Sequence, residues 1–341
     1  MATLLNVSLE SRPPGGRRRG GLTASLGSPW VAFALRRLLS LIVILFVLVN
    51  VSFLLVRLIP GDPAVLVAGL DASPQQLVTV RHELGLDQSW PAQLLHYWAG
   101  LFHGDLGSSF VSGQPVSQII GERSGASLEL AASALVLVLL LSIPIGMIAG
   151  ALTREGRHRR FDVVVSGTTS VVGAIPEYLT GTFLALVFAV VLNVLPVAGA
   201  DGWQSLVLPT LAVALRPTAV LIRIVRVETH NVLAMDYVRT ARSERLPARI
   251  VYLRHALPNI LTATLTIGGI LFAGIVGGAV VVENVFARTG LGTTLVDGVT
   301  GRDYLVVQGV ILVLGVTVVV VNTVVDVLLS IVDPRSLSRE A

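Results

Sequence analysis

Long apolar runs alternate with short polar segments along most of the chain, and this pattern predicts six membrane-spanning helices. A run of about 20 apolar residues is long enough to cross the hydrocarbon region of a bilayer as a helix. The predicted spans are residues 38–59, 128–152, 163–191, 206–224, 257–282 and 304–332. Pro176 interrupts the third span and Arg216-Pro217 interrupts the fourth, so we expect kinks at both places.

The segments outside the spans differ in character. Residues 1–37 are rich in Gly, Pro, Ser and Arg and predict a disordered tail. Residues 60–127 predict a small extramembrane subdomain, in which Ser73-Pro-Gln-Gln76 has the form of a helix N-terminus with a capping box. A second amphipathic piece at residues 91–101 carries aromatic side chains suited to a membrane–water boundary. Residues 333–341 form a short second tail.

A polar, arginine-dense stretch, residues 236–258, lies between the fourth and fifth apolar runs. It covers most of the connection 225–256 and the first two residues of the fifth run. Its apolar positions Tyr237, Val238 and Ala241 recur at helical spacing. We therefore expect a short helix held against a membrane face, with an apolar stripe that suits a socket in a partner protein. The alternative is a loop that serves only to set the orientation of the chain in the membrane.

Composition supports a membrane protein and removes several other classes. The chain is 53% hydrophobic and only 13% charged, whereas soluble domains carry about 25% charged residues. The absence of cysteine excludes disulfides and thiolate metal sites, and the absence of lysine removes the phosphate-binding loop that ATPases use. The six histidines show no metal-ligand spacing, and no catalytic constellation stands out. We expect no metal site, no catalytic residues and no bound cofactor in this chain.

The arginines are distributed unevenly between successive connections. Six precede residue 38, four lie in 153–162 and seven in 223–256, whereas 60–127 and 283–303 have two each, 192–205 has none and the C-terminal tail has two. Rich and poor connections alternate, so both termini and the 236–258 stretch are predicted to be cytoplasmic, with 60–127 outside. This topology accounts for the pI near 10.1 without a nucleic-acid partner.

Charged side chains inside predicted spans are functional candidates, and Glu177, Arg216 and Asp326 are of this kind. Glu177 and Arg216 could line a polar path for a zwitterionic substrate, or they could pair between helices or extend to the interface. For Asp326, near the end of the last span, we expect pairing between helices or extension to the interface.

The stretch 236–258 resembles the cytoplasmic coupling motif, the EAA loop, of ABC-importer permeases of the dipeptide, oligopeptide and nickel type. Asp236-Tyr-Val-Arg-Thr-Ala-Arg242 and Leu253-Arg-His-Ala-Leu257 carry the likeness within the loop. Collinear segments elsewhere extend it over roughly residues 34–336. They are Arg57–Ala64, Glu83–Gln88, Gly104–Gly107, Gly278–Phe286, Gly290–Gly292, Arg302–Tyr304, Val307–Gly309, Asn322 with Asp326, and Asp333–Arg335.

The resemblance implies an all-α membrane protein, a type I ABC-importer-like permease with six transmembrane helices and an extracytoplasmic subdomain after the first. It implies the pore subunit of a di- or oligopeptide importer in the inner (plasma) membrane, working by alternating access. The implied partners are a second permease subunit, ATPase subunits that bind the ATP, an extracytoplasmic binding protein, the lipid bilayer and the peptide substrate. The implied ATPase-coupling residues are Asp236, Tyr237, Val238, Arg239, Thr240, Ala241, Arg242, Glu244, Arg245 and Leu246.

Two alternatives to a peptide importer stay open at this point. One is a secondary transporter, although no convincing internal repeat is present. The other is a permease of the same type for nickel complexes or glutathione. A membrane-embedded enzyme would need a nucleophile–base pair or a metal set, and neither stands out.

One position departs from the family pattern. Arg245 stands where these permeases usually have the glycine of the coupling loop, and Pro247 follows soon after. Glycine enters a left-handed turn without penalty, whereas a residue with a Cβ does not. We therefore expect the bend of this loop to be shifted or built differently.

Overall fold

The computed structural model describes residues 29–57, 62–69, 71–156, 158–199 and 202–332. These residues are almost entirely α-helical, with π-helical segments at Ala185–Val191 and Val251–Ala256. The helices are α1 Pro29–Arg57, α2 Pro63–Ala68, α3 Pro74–Glu83, α4 Trp90–Phe102, α5 Val116–Leu152, α6 Arg159–Ala174, α7 Glu177–Leu184, α8 Gly202–Ala234, α9 Asp236–Ser243, α10 Ala248–Ile250, α11 Leu257–Val285, α12 Leu291–Thr300 and α13 Tyr304–Val332.

The long apolar helices confirm an all-α fold of the membrane-spanning type. In the described part of the chain, five helices are long and apolar enough to cross a bilayer, and α6 with α7 makes a sixth candidate if the bent pair is one span. Each overlaps one of the predicted apolar runs. The last predicted span coincides with α13, Tyr304–Val332.

Several helices are longer than the predicted spans. α5 begins at Val116 rather than at 128, inside the predicted outer subdomain, and α8 runs to Ala234 rather than to 224. α1 begins at Pro29, within the predicted tail, and ends at Arg57. Hydropathy detects only the part of a helix that suits lipid, whereas α5 with 37 residues is ~55 Å long. The predictions for residues 1–28, 333–341 and the turn at 60–61 lie outside the described residues.

The third predicted span is broken rather than kinked. α6 ends at Ala174 and α7 begins at Glu177, and the two axes differ by 96°. Pro176 has no N–H to continue the helix, and it favours an extended conformation for the residue before it. Ile175 accordingly has φ −78° and ψ 123°.

The centre of the bundle is a close contact between α5 and α8. A Cβ added at Gly146 would lie 2.6 Å from the Cβ of Val225 and 2.9 Å from the carbonyl oxygen of Ile222. One added at Gly150 would lie 2.8 Å from the carbonyl oxygen of Arg226. The backbones can approach this closely only because both positions are glycine. α8 also packs against α6, α7 and α11.

A buried carboxylate joins α5, α11 and α12. Glu283, only 1% exposed, accepts hydrogen bonds from the Ser127 hydroxyl at 2.5 Å and the Gly292 N–H at 2.7 Å. Ser127 in turn accepts the Leu291 N–H at 2.7 Å. A side chain at Gly290 would collide with the Glu283 carboxylate. These bonds satisfy donors at the start of α12 and hold it across the end of the bundle, which we call the α12 end.

The segments near the α12 end are tied to the spans. Ser73 and Gln76 make the predicted capping box at the start of α3, which confirms that motif. The rings of Trp98 on α4 and Phe46 on α1 stack with centroids 5.6 Å apart, so α4 lies along a spanning helix. At the opposite end of the bundle Arg37 on α1 pairs with Asp326 on α13, which is one of the two structural roles expected for Asp326.

Candidate functional site

The arginine-dense stretch folds as a short helix beneath α8. Met235, with φ −70° and ψ 149°, ends α8 and turns the chain into α9. Val238 is fully buried and Ala241 is 5% exposed, and both belong to the same hydrophobic core as Leu233 and Val251. The end of the bundle where α9 lies is called the α9 end below.

This burial divides the predicted coupling residues into two groups. Val238 and Ala241 hold α9 to its own bundle, in contrast to the expectation that the whole apolar stripe meets a partner. Their partners are apolar residues of this chain, which an amphipathic pattern alone does not distinguish from a socket in another protein. The exposed members of the predicted set are Asp236, Tyr237, Arg239, Thr240, Arg242, Glu244 and Arg245, and Leu246 is partly buried.

Tyr237 is the large apolar side chain on the open face of α9, and 39% of it is exposed. Burial and the neighbouring Glu228 carboxylate raise the pKa of its hydroxyl group above the ordinary value. The hydroxyl therefore stays protonated at neutral pH and can donate a hydrogen bond while the ring offers contact area. Aromatic side chains of this kind often carry much of the binding energy at protein interfaces.

The bend after α9 forms at the expected place, with arginine in the left-handed conformation. Arg245 has φ 55°. Its N–H bonds to the carbonyl of Arg242 at 3.0 Å, and the N–H of Leu246 bonds to the carbonyl of Ala241 at 3.3 Å. This pair of bonds is the Schellman motif, which normally has glycine at the left-handed position. The expectation of a shifted bend was therefore wrong: the turn keeps its geometry and Arg245 bears the steric penalty.

A groove of about 420 Å³ opens between the end of α5 and the chain after α9. Arg154 and Arg242 line it together with Tyr252 and partly buried apolar groups. Arg239, Arg245 and Arg249 are exposed on the surrounding surface, whereas the exposed acidic residues there are Asp236 and Glu244, and Glu228 lies partly buried near Tyr237. Asp236 lies 3.6 Å from Arg239, and an exposed pair of this kind contributes little energy. The surface is therefore cationic.

Inside the bundle, the structure brings the two predicted path residues together. Arg216 Nη1 donates to the Glu177 carboxylate at 3.1 Å. Glu177 is the first residue of α7, directly after the break at Pro176, and its stem lies 3.4 Å from the Cβ position of Gly278 on α11. The side chain of Arg216 remains 52% exposed.

A second ion pair fixes the depth of the first. Arg226 on α8 pairs with Asp162 in the first turn of α6 and donates to Ser166 Oγ at 2.8 Å. Arg216 precedes Arg226 by about three helical turns, so the two pairs lie ~15 Å apart along α8. α8 extends over the 33 residues Gly202–Ala234, and Arg216 lies near its middle. The Glu177–Arg216 pair therefore lies near the middle of this spanning helix.

Sequence reasoning missed two arginines of these sites. Arg223 lies exposed on α8 between the two ion pairs, but it had been counted only as a topology determinant at the end of a span. Arg154 had been counted in the same way. Seven-residue spacing between Arg216 and Arg223 could have shown that they share a helix face. In the parts of the chain that are described, no group of three His, Cys, Asp or Glu residues could hold a metal ion.

A bundle of apolar spans with a charged surface at one end and a half-exposed ion pair at mid-depth fits a membrane permease. Two family profiles match the chain, and together they extend over nearly all the spans. The profile described as "binding-protein-dependent transport system inner membrane component" matches residues 142–338, and its N-terminal companion matches residues 30–131. The chain belongs to this family of transport permeases, which confirms the resemblance to ABC importers.

Curated relatives match over most of their own length. A putative peptide transport system permease protein of Brucella suis is 39% identical over 312 residues, covering 89% of this chain and 98% of that protein. The glutathione transport system permease protein GsiC of Shigella flexneri is 40% identical over 303 residues, covering 89% and 97%. Among solved structures, the MetNI methionine ABC transporter in an inward-facing form shares the fold, with a TM-score of 0.54 and 16% identity over 63% of this chain and 97% of that one.

Proposed function

We propose that this chain is a pore-forming subunit of an ABC importer for di- and oligopeptides in the inner (plasma) membrane. Membership of the family and the names of the relatives support a transport role with a peptide-like cargo. In this arrangement the α9 end and both termini face the cytoplasm and the α12 end faces outward, as the arginine distribution predicts. Glutathione is a peptide-like cargo of the same class, and nickel complexes are the alternative cargo.

The proposed partners are inferred from the missing phosphate-binding loop and from the exposed face of α9. Its sequence has no lysine and hence no phosphate-binding loop, so separate ATPase subunits would bind and hydrolyse the ATP. A second permease subunit would complete the pore, and a binding protein outside the membrane would deliver the peptide. The chain itself would carry no cofactor and no catalytic residue.

The observation that carries the proposal is the packing of α9 against its own bundle. Its inner face is buried in the core of the bundle and its outer face presents Tyr237 among exposed arginines. A cationic surface is complemented by carboxylates. We infer that the ATPase receives Tyr237 in an apolar pocket rimmed by acidic side chains, and that the groove between Arg154 and Arg242 accepts one of them.

The same geometry explains how ATP binding could change the pore. α9 is joined to α8 through the single extended residue Met235, and Val238 and Ala241 are buried in the same core as α8. A partner that moves α9 therefore moves α8 as well, and α8 carries Arg216 at mid-depth. Differential contact of the ATPase with α9 in its two states would shift the bundle between inward and outward openings. Glu177 and Arg216 would then line the translocation path.

The test compares adjacent positions of α9 in the complete transporter reconstituted in liposomes. We expect Tyr237→Asp to leave the amount of inserted protein unchanged and to lower ATP-dependent peptide uptake at least tenfold, because it places a carboxylate in the apolar pocket. Tyr237→Phe keeps the ring and should retain most of the uptake. Val238→Asp buries a carboxylate in the core and should reduce the amount of folded protein instead.

The two readouts separate docking from folding. Normal uptake by Tyr237→Asp would refute the docking surface. Loss of folded protein in Tyr237→Asp would also contradict it, since the residue would then serve the chain's own packing. If the wild-type transporter binds ATP but imports no peptide, the proposed cargo is wrong.

A further inference from the structure

α8 has one open face, and that face is charged. The helix packs against α5, α6, α7 and α11, and its apolar section is the most buried of the five candidate spans at 61%. Its exposed side chains between residues 211 and 230 are Arg216, Arg223 and Val227. Spacings of seven and four residues place these three side chains along one strip of the helix.

This strip does not suit lipid. A guanidinium group near the centre of a bilayer is disfavoured unless it pairs or meets water, and Arg216 is half exposed at that depth. A half-exposed ion pair with Arg223 beside it therefore suits a water-filled path or another protein chain better than lipid. Because the remaining sides of α8 are occupied, the strip is the part of this helix that a permeating molecule can reach.

The charges on the strip are not balanced within the chain. Glu177 offsets Arg216, and Asp162 offsets Arg226, the residue that precedes Val227 in the sequence. Arg223 forms no ion pair or hydrogen bond with any residue that the structure describes. Its guanidinium lies over α6, 3.9 Å from the Cβ position of Gly173. The strip together with the adjacent Glu177 of α7 consequently holds two cations and one anion.

There is also open space beside the pair. Gly278 on α11 makes room for the stem of Glu177, whereas a Cβ added at Gly274 or Gly277 on the same helix would meet nothing within 4 Å. The surface next to Glu177 is thus lined by backbone rather than by bulky side chains. A small polar molecule could approach both members of the pair there.

We propose that Arg216, Glu177 and Arg223 form a transient binding site for acidic peptides, that is, peptides with two carboxylates and one ammonium group. An ordinary zwitterionic peptide can exchange partners with the Glu177–Arg216 pair, its carboxylate replacing Glu177 and its ammonium replacing Arg216. The second carboxylate of an acidic peptide would pair with Arg223, which lies ~10 Å further along α8. Arg223 is therefore the specificity-determining residue of the path. This inference rests on the proposed import of peptides.

The experiment uses the complete transporter in liposomes, with saturating binding protein loaded with either Ala-Glu or Ala-Ala. The measured quantity is the ratio of the two initial uptake rates in each variant, so that any preference of the binding protein cancels between variants. In Arg223→Gln the ratio of Ala-Glu to Ala-Ala uptake should fall about tenfold, as expected for the loss of one charge-assisted contact. Arg223→Lys should restore part of the ratio.

Two further measurements separate this role from others. Arg160→Gln removes one exposed arginine that belongs to the start of α6 and not to the strip, and it should leave the ratio unchanged. Uptake of both peptides reduced equally in Arg223→Gln would overturn the proposal and indicate that Arg223 contacts the second permease subunit. An unchanged ratio would overturn it as well while leaving peptide import intact. Failure of the wild type to import either peptide would instead refute the proposed function.

Discussion

Replacing Arg245 with glycine should stabilise the protein, although arginine is the residue that nature placed there. Arg245 is exposed, and its φ of 55° lies in the left-handed region. A side chain with a Cβ destabilises that conformation by roughly 1–2 kcal/mol relative to glycine. Glycine in turn increases the entropy of the unfolded chain, which offsets about 0.4–1 kcal/mol. The net expectation is a stabilisation of roughly 0.5–1 kcal/mol.

The assay is the thermal unfolding midpoint of the purified chain in one detergent at fixed protein and salt concentrations. For a chain of this size the expected rise is about 1–2 °C. Arg249→Gly is the matched control, because it removes the same side chain four positions later from the helical segment Ala248–Ile250. Glycine inside a helix is less favourable than other residues by about 0.5–1 kcal/mol, so this variant should unfold at a lower temperature.

Opposite signs for the two variants would establish that backbone conformation, and not the loss of a charge, controls the result. Arg245→Ala provides a second check, because alanine keeps the Cβ and should not raise the midpoint. A lower midpoint for Arg245→Gly than for wild type would refute the argument. It would mean that the arginine side chain contributes more to the folded state than its left-handed backbone removes.

Two other predictions concern the α12 end. Gly292→Ala should destabilise the protein by about 1–3 kcal/mol, because the new Cβ would lie 2.9 Å from the carbonyl oxygen of Val280. Gly125→Ala is the control, because a Cβ added there would have nothing within 4 Å. Equal unfolding midpoints for the two variants would contradict the predicted clash. The hydrogen bond with Asp87 and the negative charge of Asp87 raise the pKa of His82 above its ordinary value of 6.5. The stabilisation from this contact should therefore be fully present below pH 6.5 and lost as the pH rises through the raised pKa. Proton titration of the ring by NMR in nanodiscs should show Asp87→Asn returning the pKa toward its ordinary value, and an unchanged pKa would rule out the contact.

The spans could be predicted from sequence because lipid imposes a strong requirement. A helix that crosses hydrocarbon must be apolar for about 20 residues, and this leaves a pattern in one sequence. Nothing similar marks where a helix continues into water. The polar first part of α5, residues 116–126, was therefore assigned to a separate subdomain. The break at Pro176 was predicted as a kink, since a proline signals an interruption without giving its angle.

The coupling loop shows a different limit. An amphipathic helix must bury its apolar side, but its sequence does not tell whether the covering surface belongs to the same chain. Val238 and Ala241 are covered by their own bundle, whereas Tyr237 and its polar and charged neighbours remain outside. The ATPase-coupling and path residues stay predictions, which the uptake experiments address directly. The pairing of Glu177 with Arg216, 39 positions apart, depended on a tertiary contact that spacing could not reveal.

Buried arginine is a further case that sequence patterns do not predict. Arg288 is 1% exposed and pairs with Glu129 at 2.9 Å. Arginine is rarely buried unless it is paired, and Glu129 lies within a predicted span where it had drawn no attention. Two charges that look unfavourable separately become compatible with the bundle once they meet.

The glycine contact between α5 and α8 has a mechanical consequence. At Gly146 and Gly150 the two backbones touch, with carbonyl oxygens of α8 2.8–2.9 Å from where a Cβ would be. Helices in such contact cannot slide past each other without collision, so α5 and α8 should move as one rigid unit. The conformational change must then involve other parts of the bundle, namely the break between α6 and α7 and helix α1, whose apolar section is only 17% buried. An importer built this way would change conformation at its periphery while α5 and α8 tilt together as one rigid unit.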